Sequence, residues 1–570
     1  MTDGKAEAND KDSTKNSIAD FGSTLSNEAS NIWHRVRQIG GRIHLPNSHH
    51  SDTDGAALVG PTDPEKEINV TVMVKSKASE KEIDDTLDKI SSGKMKPLSE
   101  AEFNAKFGAD QQAMQRVLKF AQDHHLSAKE VNDSSGRVLL TGKAKDFSSA
   151  FKVDLKDYDD TTGGGPFHAH NKDVSVPRGV GKDIEGVFGL DNRKLAEPHI
   201  VFPPKPDPFQ PHGLFTGYMP DQVAKAYNFP QESMGAGQNV AIIELGGGLD
   251  FKDNAEYYKS HNYKLPDIRV VTVGGAENKT GTQADGEVAL DSQVIGVVAP
   301  DAKQTLVFAP NTDQGFVDAI DRAAFPQKGE LENSAISVSW GAPESAWTAE
   351  ARHSMDLAFK KAALKGISIF CASGDSGSKD NSKDGKHTTD FPSTDSWVTG
   401  TGGTKLSLDN NGHRKSEVAW NDGRLIGLGK LVAGGGGISA TEAVPDYQAG
   451  TKLPPNANKT NQPGRGVPDI SGNASMLEGY QIRFGGHEMP VGGTSAVAPL
   501  YAALTMRVNG ALGHNIGFIN PFLYKNPGVF FDVTSGNNQG YNAGPGWDAV
   551  TGLGVIDGQK FLDALKKARN

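Results

Sequence analysis

From Ile68 to Val74 apolar and polar side chains alternate (INVTVMV), the period of a strand with one buried face. ASEKEIDDTLDKI and DQQAMQRVLKFAQDHH repeat apolar positions at helical spacing, and GRVLLTG and FKVDLKDY predict further strands. Together they predict an α+β domain over 66–197, closing after VFGLDNRK. The stretch HIVFPPKPDPFQPHG follows, and its five prolines predict an extended, exposed and easily cut linker over 198–214. Beyond it NVAIIEL, DIRVVTV, KQTLVFA, SAISVSW and GISIFCA are short, continuously apolar runs separated by helix-like stretches. Strands buried on both faces read this way, so a three-layer α/β/α body on one mostly parallel sheet is predicted for 215–570. Sites in such sheets gather at the carboxyl ends of the strands. Residues 1–65 are polar and rich in Ser, Asn, Asp and Lys, predicting a disordered leader with His49 and His50 solvated.

With 570 residues the chain exceeds what one core serves, in keeping with two domains. A net charge of -11 argues against a nucleic-acid partner, and no apolar run is long enough to span a membrane. The single cysteine, Cys371, excludes an intramolecular disulfide and a cysteine-rich zinc site. The N-terminus has no apolar core of the secretory type, so export by that route is not expected.

Three segments carry candidate chemistry. VGGTSAVAPL sets Ser495 between small residues at the start of an apolar helix, where it can act as a nucleophile or cap the helix. A serine needs a base, and no histidine stands in a recognisable pattern: His212-Gly213-Leu214 is the nearest approach to a subtilisin motif. Gly374-Asp375-Ser376-Gly377 is followed by Ser378, where a chymotrypsin-like motif has glycine. DGEVALDSQVIGVVAP instead offers Glu287 and Asp291 four residues apart on one helix face, either as a catalytic pair or as two carboxylates on a solvated side; the apolar residues around them favour burial. ISIFCASGDSGS ends a buried strand in a Gly-flanked turn that holds Asp375, as a turn former or as a functional acid.

These segments in this order, with RGVPDISGNAS before the last, resemble the sedolisins, serine-carboxyl peptidases of subtilisin-like fold, and kumamolisin-type precursors among them. FGAD, FHAH and VFGLDNR in the first domain and IIELGGG and FAPNTD in the second extend the resemblance from residue 68 to the C-terminus. It implies a serine endopeptidase made as a zymogen, with Ser495 as nucleophile, Glu287 as general base and acid, Asp291 orienting it, and Asp375 in the oxyanion hole. Glu244 and Trp340 match positions behind the acid pair. FFDVTSGNN and YNAGPGWDAVTGLG match the family's calcium site, implying one Ca2+ held by Asp532 and Asp548 carboxylates and Val533, Gly544 and Gly546 carbonyls. A carboxylate base accepts a proton in acid, where histidine is already charged, so acid activity is expected.

The expected partners are protein and peptide substrates and the chain's own pro-domain, which would cover the cleft of a monomer until acid weakens carboxylate contacts. Ser339 to Gly341 is the expected wall for extended peptides, and Asp390 an acidic wall favouring basic side chains. GLGKLVAGGGG lacks the setting of a dinucleotide loop and fits a substrate-lining one. A secreted location without a recognisable signal peptide is expected. The alternatives are a tripeptidyl-peptidase of the same family, a histidine-dependent hydrolase and a catalytically silent calcium-binding relative.

Overall fold

The computed structural model describes residues 41–50, 55–161, 164–203, 216–424, 431–460 and 462–569. The first domain is a four-stranded antiparallel sheet with two helices packed on one face. Its elements are β1 (Glu67–Val74), α1 (Glu80–Ser91), α2 (Gln111–Asp123), β2 (Ser127–Asn132), β3 (Arg137–Lys143), α3 (Ala144–Phe151) and β4 (Ile184–Phe188), and the strand order is β2-β3-β1-β4. The alternation in β1 assigns its two faces: Val70, Val72 and Val74 join Val117 of α2 and Phe147 of α3 in the domain's core, while Thr71 and Met73 turn to the second domain. Ser79 with Glu82 forms a capping box that starts α1, and Asp110 caps α2.

Order begins earlier than the polar composition suggested. Arg42–His44 pairs with Ser175–Pro177, and Ala57–Pro61 with Lys156–Asp160. His50 is not solvated: its Nε2 lies 3.0 Å from Asp313 of the second domain. His49 pairs with Asp173 at 2.9 Å. The polar segment after Arg42 is thus recruited by strand pairing and ion pairs, which composition does not report; residues 1–40 and 51–54 lie outside the described residues.

The junction carries β5 (Glu197–Pro198). The second domain follows with β6 (Asn239–Glu244), β7 (Asp267–Thr272), α4 (Asp285–Val298), β8 (Lys303–Phe308), α5 (Asp313–Ala324), β9 (Ala335–Val338), β10 (Trp340–Pro343), α6 (Ala349–Leu364), β11 (Ser368–Ala372), β12 (Thr399–Leu408), β13 (Arg414–Ala419), β14 (Ile470–Asn473), β15 (Glu478–Phe484), β16 (His487–Val491) and α7 (Val497–Leu512). The main sheet runs β7-β8-β6-β9-β11-β12-β13, with β14 also pairing β12; it is parallel except for β13. Val240 and Ile242 of β6 face the apolar helices α4 and α7, and Ala241 and Ile243 face α5 and α6. This is the three-layer body that the continuous apolar strands predicted. Ile83 and Leu87 of α1 share a cluster with Met355 and Phe359 of α6, so the first domain packs onto the α5/α6 layer.

Candidate active site

The carboxyl ends of β6, β9 and β11 and the start of α7 converge on one cleft. Glu287 and Asp291, one turn apart on α4, are both fully buried, as are Glu244 at the end of β6 and Ser495. Helix α4 is apolar nearly all round, so its two carboxylates have no solvated side to occupy. The Ser339 hydroxyl lies 2.9 and 2.8 Å from the two Asp291 oxygens and anchors that carboxylate. Trp340 Nε1 donates to Glu244 Oε2 at 3.1 Å. Burial first, then the charge of Asp291, then that of Glu244 push the Glu287 carboxyl well above the usual carboxylate range. Burial likewise raises Asp291 and, with Asp291 beside it, Glu244. Three carboxyls in one dry pocket cannot all ionise, so the cluster retains protons where isolated carboxylates would have lost theirs.

Ser495 Oγ donates to the Ser339 carbonyl at 3.2 Å. It also neighbours Glu287 and pulls that carboxyl's pKa down, although neither Glu287 oxygen has a hydrogen bond of ordinary geometry. Asp375 follows β11 through Gly374, whose φ is +98° and whose absent Cβ would stand 2.5 Å from Asp380 Oδ1. Asp375 Oδ1 accepts from the Thr494 N–H and hydroxyl, each at 2.8 Å, which ties the turn to the Ser495 segment. The Asp375 carbonyl accepts from Ala433 N at 3.0 Å, so the glycine-rich run after Leu431 does line this site; residues 425–430 lie outside the described ones.

The cleft is filled by the chain itself. β5 runs antiparallel to β10, with Glu197 opposite Gly341 and Pro198 opposite Trp340. His199 N donates to Ser339 O at 3.0 Å, and Ser495 N donates to His199 O at 3.0 Å. Beyond it, Val201 and Gly492 exchange both backbone bonds, at 2.9 and 3.0 Å. Gly493, at φ +115°, has no side chain where a Cβ would stand 2.1 Å from His199 O and 2.7 Å from Asp375 Oδ2. The His199 carbonyl therefore sits between the Ser495 N–H and the Asp375 carboxyl. The His199 imidazole lies 3.0 Å from Asp390 Oδ2, at ion-pair distance but without an in-line N–H. Burial drives both Asp390 and its neighbour Asp380 well above the carboxylate range. The described start of the linker is thus buried, not exposed as its prolines suggested: paired backbone on both sides removes it from water.

The chain is similar to known proteins. A family model described as the pro-kumamolisin activation domain matches residues 54–193. The chain is 39% identical to kumamolisin of Bacillus sp. (strain MN-32) over 477 residues, 81% of this chain and 85% of that protein. It belongs to the sedolisin family of serine-carboxyl peptidases. Sedolisin of Pseudomonas sp. (strain 101) is 27% identical over 81% of this chain and 80% of that protein, and tripeptidyl-peptidase sed5 of Aspergillus fumigatus 25% over 92% and 97%. The structure of Pseudomonas sedolisin complexed with two molecules of pseudo-iodotyrostatin superposes with a TM-score of 0.56 at 29% identity, covering 62% of this chain and 99% of that one. The protein is therefore a serine-type peptidase of subtilisin-like fold with an activation pro-domain.

In this sedolisin-family peptidase the loop expected to hold calcium ties Asp532 to the turn that precedes Asp548. Gly546 N donates to Asp532 Oδ2 at 2.9 Å and Gly544 N to Asp548 Oδ2 at 3.0 Å. Thr551 Oγ1 reaches both Asp548 and Val533 O. All donors are oxygens, and burial raises the Asp548 carboxyl, whose hydrogen bonds come only from neutral groups. Such a donor set suits a hard cation.

The pro-domain contacts bear on the expectation that acid weakens them. Asp318 of α5, fully buried, receives Arg137 Nε at 2.8 Å and the Thr71 hydroxyl at 2.9 Å. Burial nonetheless holds Asp318 above its usual value, Asp321 at about 6 and Glu350 well above. Buried carboxyls held above their usual values are the more readily neutralised in acid. Burial lowers His168 and His170 of FHAH, so both resist charging inside the pro-domain.

Sequence reasoning placed Ser495, Glu287, Asp291, Asp375, Glu244 and Trp340, and the fold brings all six to this cleft. It missed the anchoring role of the Ser339 hydroxyl, the Thr494 tie to Asp375, Asp380 beside Asp390, and His199. Only the start of a proline-rich stretch marked the last.

Proposed function

We propose that the precursor is an acid-acting serine-carboxyl endopeptidase held inactive by its own segment 197–202, and that it first cuts itself between His199 and Ile200. One observation carries this reading: the Ser495 N–H donates to the His199 carbonyl while ladders on both sides fix the chain like a bound substrate. In the proposed step Ser495 Oγ adds to the His199 carbonyl carbon as Glu287 takes its proton. The oxyanion is held by the Ser495 N–H and by Asp375 in its protonated form, which is why acid is required. Glu287 returns the proton to the Ile200 nitrogen as the C–N bond breaks, then draws one from the water that attacks the ester and passes it to Ser495 Oγ as the ester C–O bond breaks. Asp291, fixed by Ser339, orients Glu287 and shares its proton, with Glu244 and Trp340 behind. The loop around Asp532, Val533, Gly544, Gly546 and Asp548 would hold Ca2+ as a structural tie.

An endopeptidase is favoured over a tripeptidyl-peptidase because chain upstream of the third residue before the bond is also gripped: Asn311 accepts from Ala196 N at 2.8 Å and donates to its carbonyl at 2.6 Å. Asp390 beside His199 supports a preference for a basic residue before the bond. The test is a time course of purified precursor at pH 4 and pH 7 read by intact mass. The first acid product should begin at Ile200, and the Ser495→Ala precursor should stay whole. A first cut elsewhere, or equal processing at both pH values, overturns the reading.

A further inference from the structure

Three apolar residues follow the proposed bond. Ile200 and Val201 are buried in the cluster that also holds Val288 of α4 and Ile482 of β15. Phe202 is half-buried against that cluster, its ring 5.5 Å from the ring of Phe484. Phe484 ends β15 just before the Gly485-Gly486 turn into β16. On the facing side is Gly286, one residue before Glu287, where a Cβ would stand 2.6 Å from Phe202 Cζ and 3.2 Å from Phe484 Cζ. The missing side chain at Gly286 is what leaves room for the ring.

The wall carrying Phe484 is fixed to the catalytic helix. Gln293 of α4 donates to Arg483 O at 2.7 Å and accepts from Arg483 N at 2.9 Å. Asp253 receives Arg483 Nε at 2.6 Å and Gly486 N at 2.9 Å, and Tyr257 donates to Gln481 O at 3.0 Å. These bonds hold Phe484 at a set distance from Glu287 and Asp291.

The geometry points to a substrate pocket, walled by Phe484 and floored by Gly286, that takes an aromatic or large aliphatic side chain at the third residue after the cut bond; Phe202 fills it in the precursor. The proposal rests on the His199–Ile200 register above. An apolar ring there leaves water between a ring and a bare helix turn, whereas a glycine gains nothing and a carboxylate is desolvated beside the acid pair.

The experiment uses the self-processed peptidase and peptides with the chain's own sequence from Leu195 to Val201 followed by Phe, Leu, Gly or Asp. Expected kcat/KM is on the order of tenfold higher for Phe than for Gly, with Leu between and Asp lowest. In Phe484→Ala the Phe-to-Gly ratio should fall to within about twofold, and Phe484→Leu should restore part of it. Gly286→Ala should penalise Phe more than Gly. A parent enzyme that cuts the Phe and Gly peptides equally between His and Ile overturns the pocket alone, as does a Phe484→Ala enzyme slowed equally on all four. Absence of any cut between His and Ile overturns the register and the pocket with it.

Discussion

Replacing Arg137 with methionine keeps an aliphatic stem in the pro-domain junction but removes the cation facing Asp318. Asp318 has no exposed surface and Arg137 little, 4% of its side chain; they meet at 2.8 Å, with Thr71 adding a bond at 2.9 Å. Breaking a pair this buried costs about 3–5 kcal/mol, because the remaining charge stays out of water. At about 1.4 kcal/mol per factor of ten, the junction should open roughly 10²- to 4 × 10³-fold more often. Asp318 is already raised by burial and rises further without Arg137, so in acid it becomes neutral and the deficit shrinks; the full effect belongs to neutral pH. The assay is hydrogen exchange of β1 and β3 amides in a Ser495→Ala background, which prevents self-cleavage during measurement. Unchanged protection of both strands at pH 7 would refute the argument that this pair holds the domains together.

Glu287→Gln should lower kcat by about 10²- to 10⁴-fold while leaving the fold intact, since the amide keeps the shape but cannot take a proton; circular dichroism and peptide hydrolysis check it, and retained activity would point to a histidine-dependent mechanism. His168 and His170 are lowered by burial, so their neutral forms stabilise the pro-domain fully above pH about 6.5, and this stability is lost as pH falls toward their depressed values. His168 faces the Gly189 carbonyl, Lys66, Asp191 and Asp157, and His170 faces the Lys172 carbonyl, Asp191, His49 and His50. Gln at both positions should therefore move acid processing to lower pH, and an unmoved pH profile would count against them as the trigger. Chelation should lower the melting temperature by an amount corresponding to about 2.7 kcal/mol when calcium is at 100 times its Kd, and Asp532→Ala should abolish that shift; a melting curve indifferent to chelator removes calcium from the account.

The layers of both domains were legible because burial leaves a periodic mark: alternation in Ile68 to Val74, continuous apolar runs in NVAIIEL and GISIFCA, and an apolar helix around Glu287 and Asp291. Two acids four apart on a helix share a face, and the apolar residues around Glu287 and Asp291 favoured burial over a solvated side. What His199 and Phe202 do had no such mark. Their places depend on which strand edge the junction pairs with and on where Gly493 and Gly286 leave space, and those are distances between segments far apart in the chain. The direction of the pKa shifts at the junction was hidden for the same reason. A carboxylate's pKa is fixed by what is buried with it, and only the docked domains bring Arg137 to Asp318 while shutting water away from both.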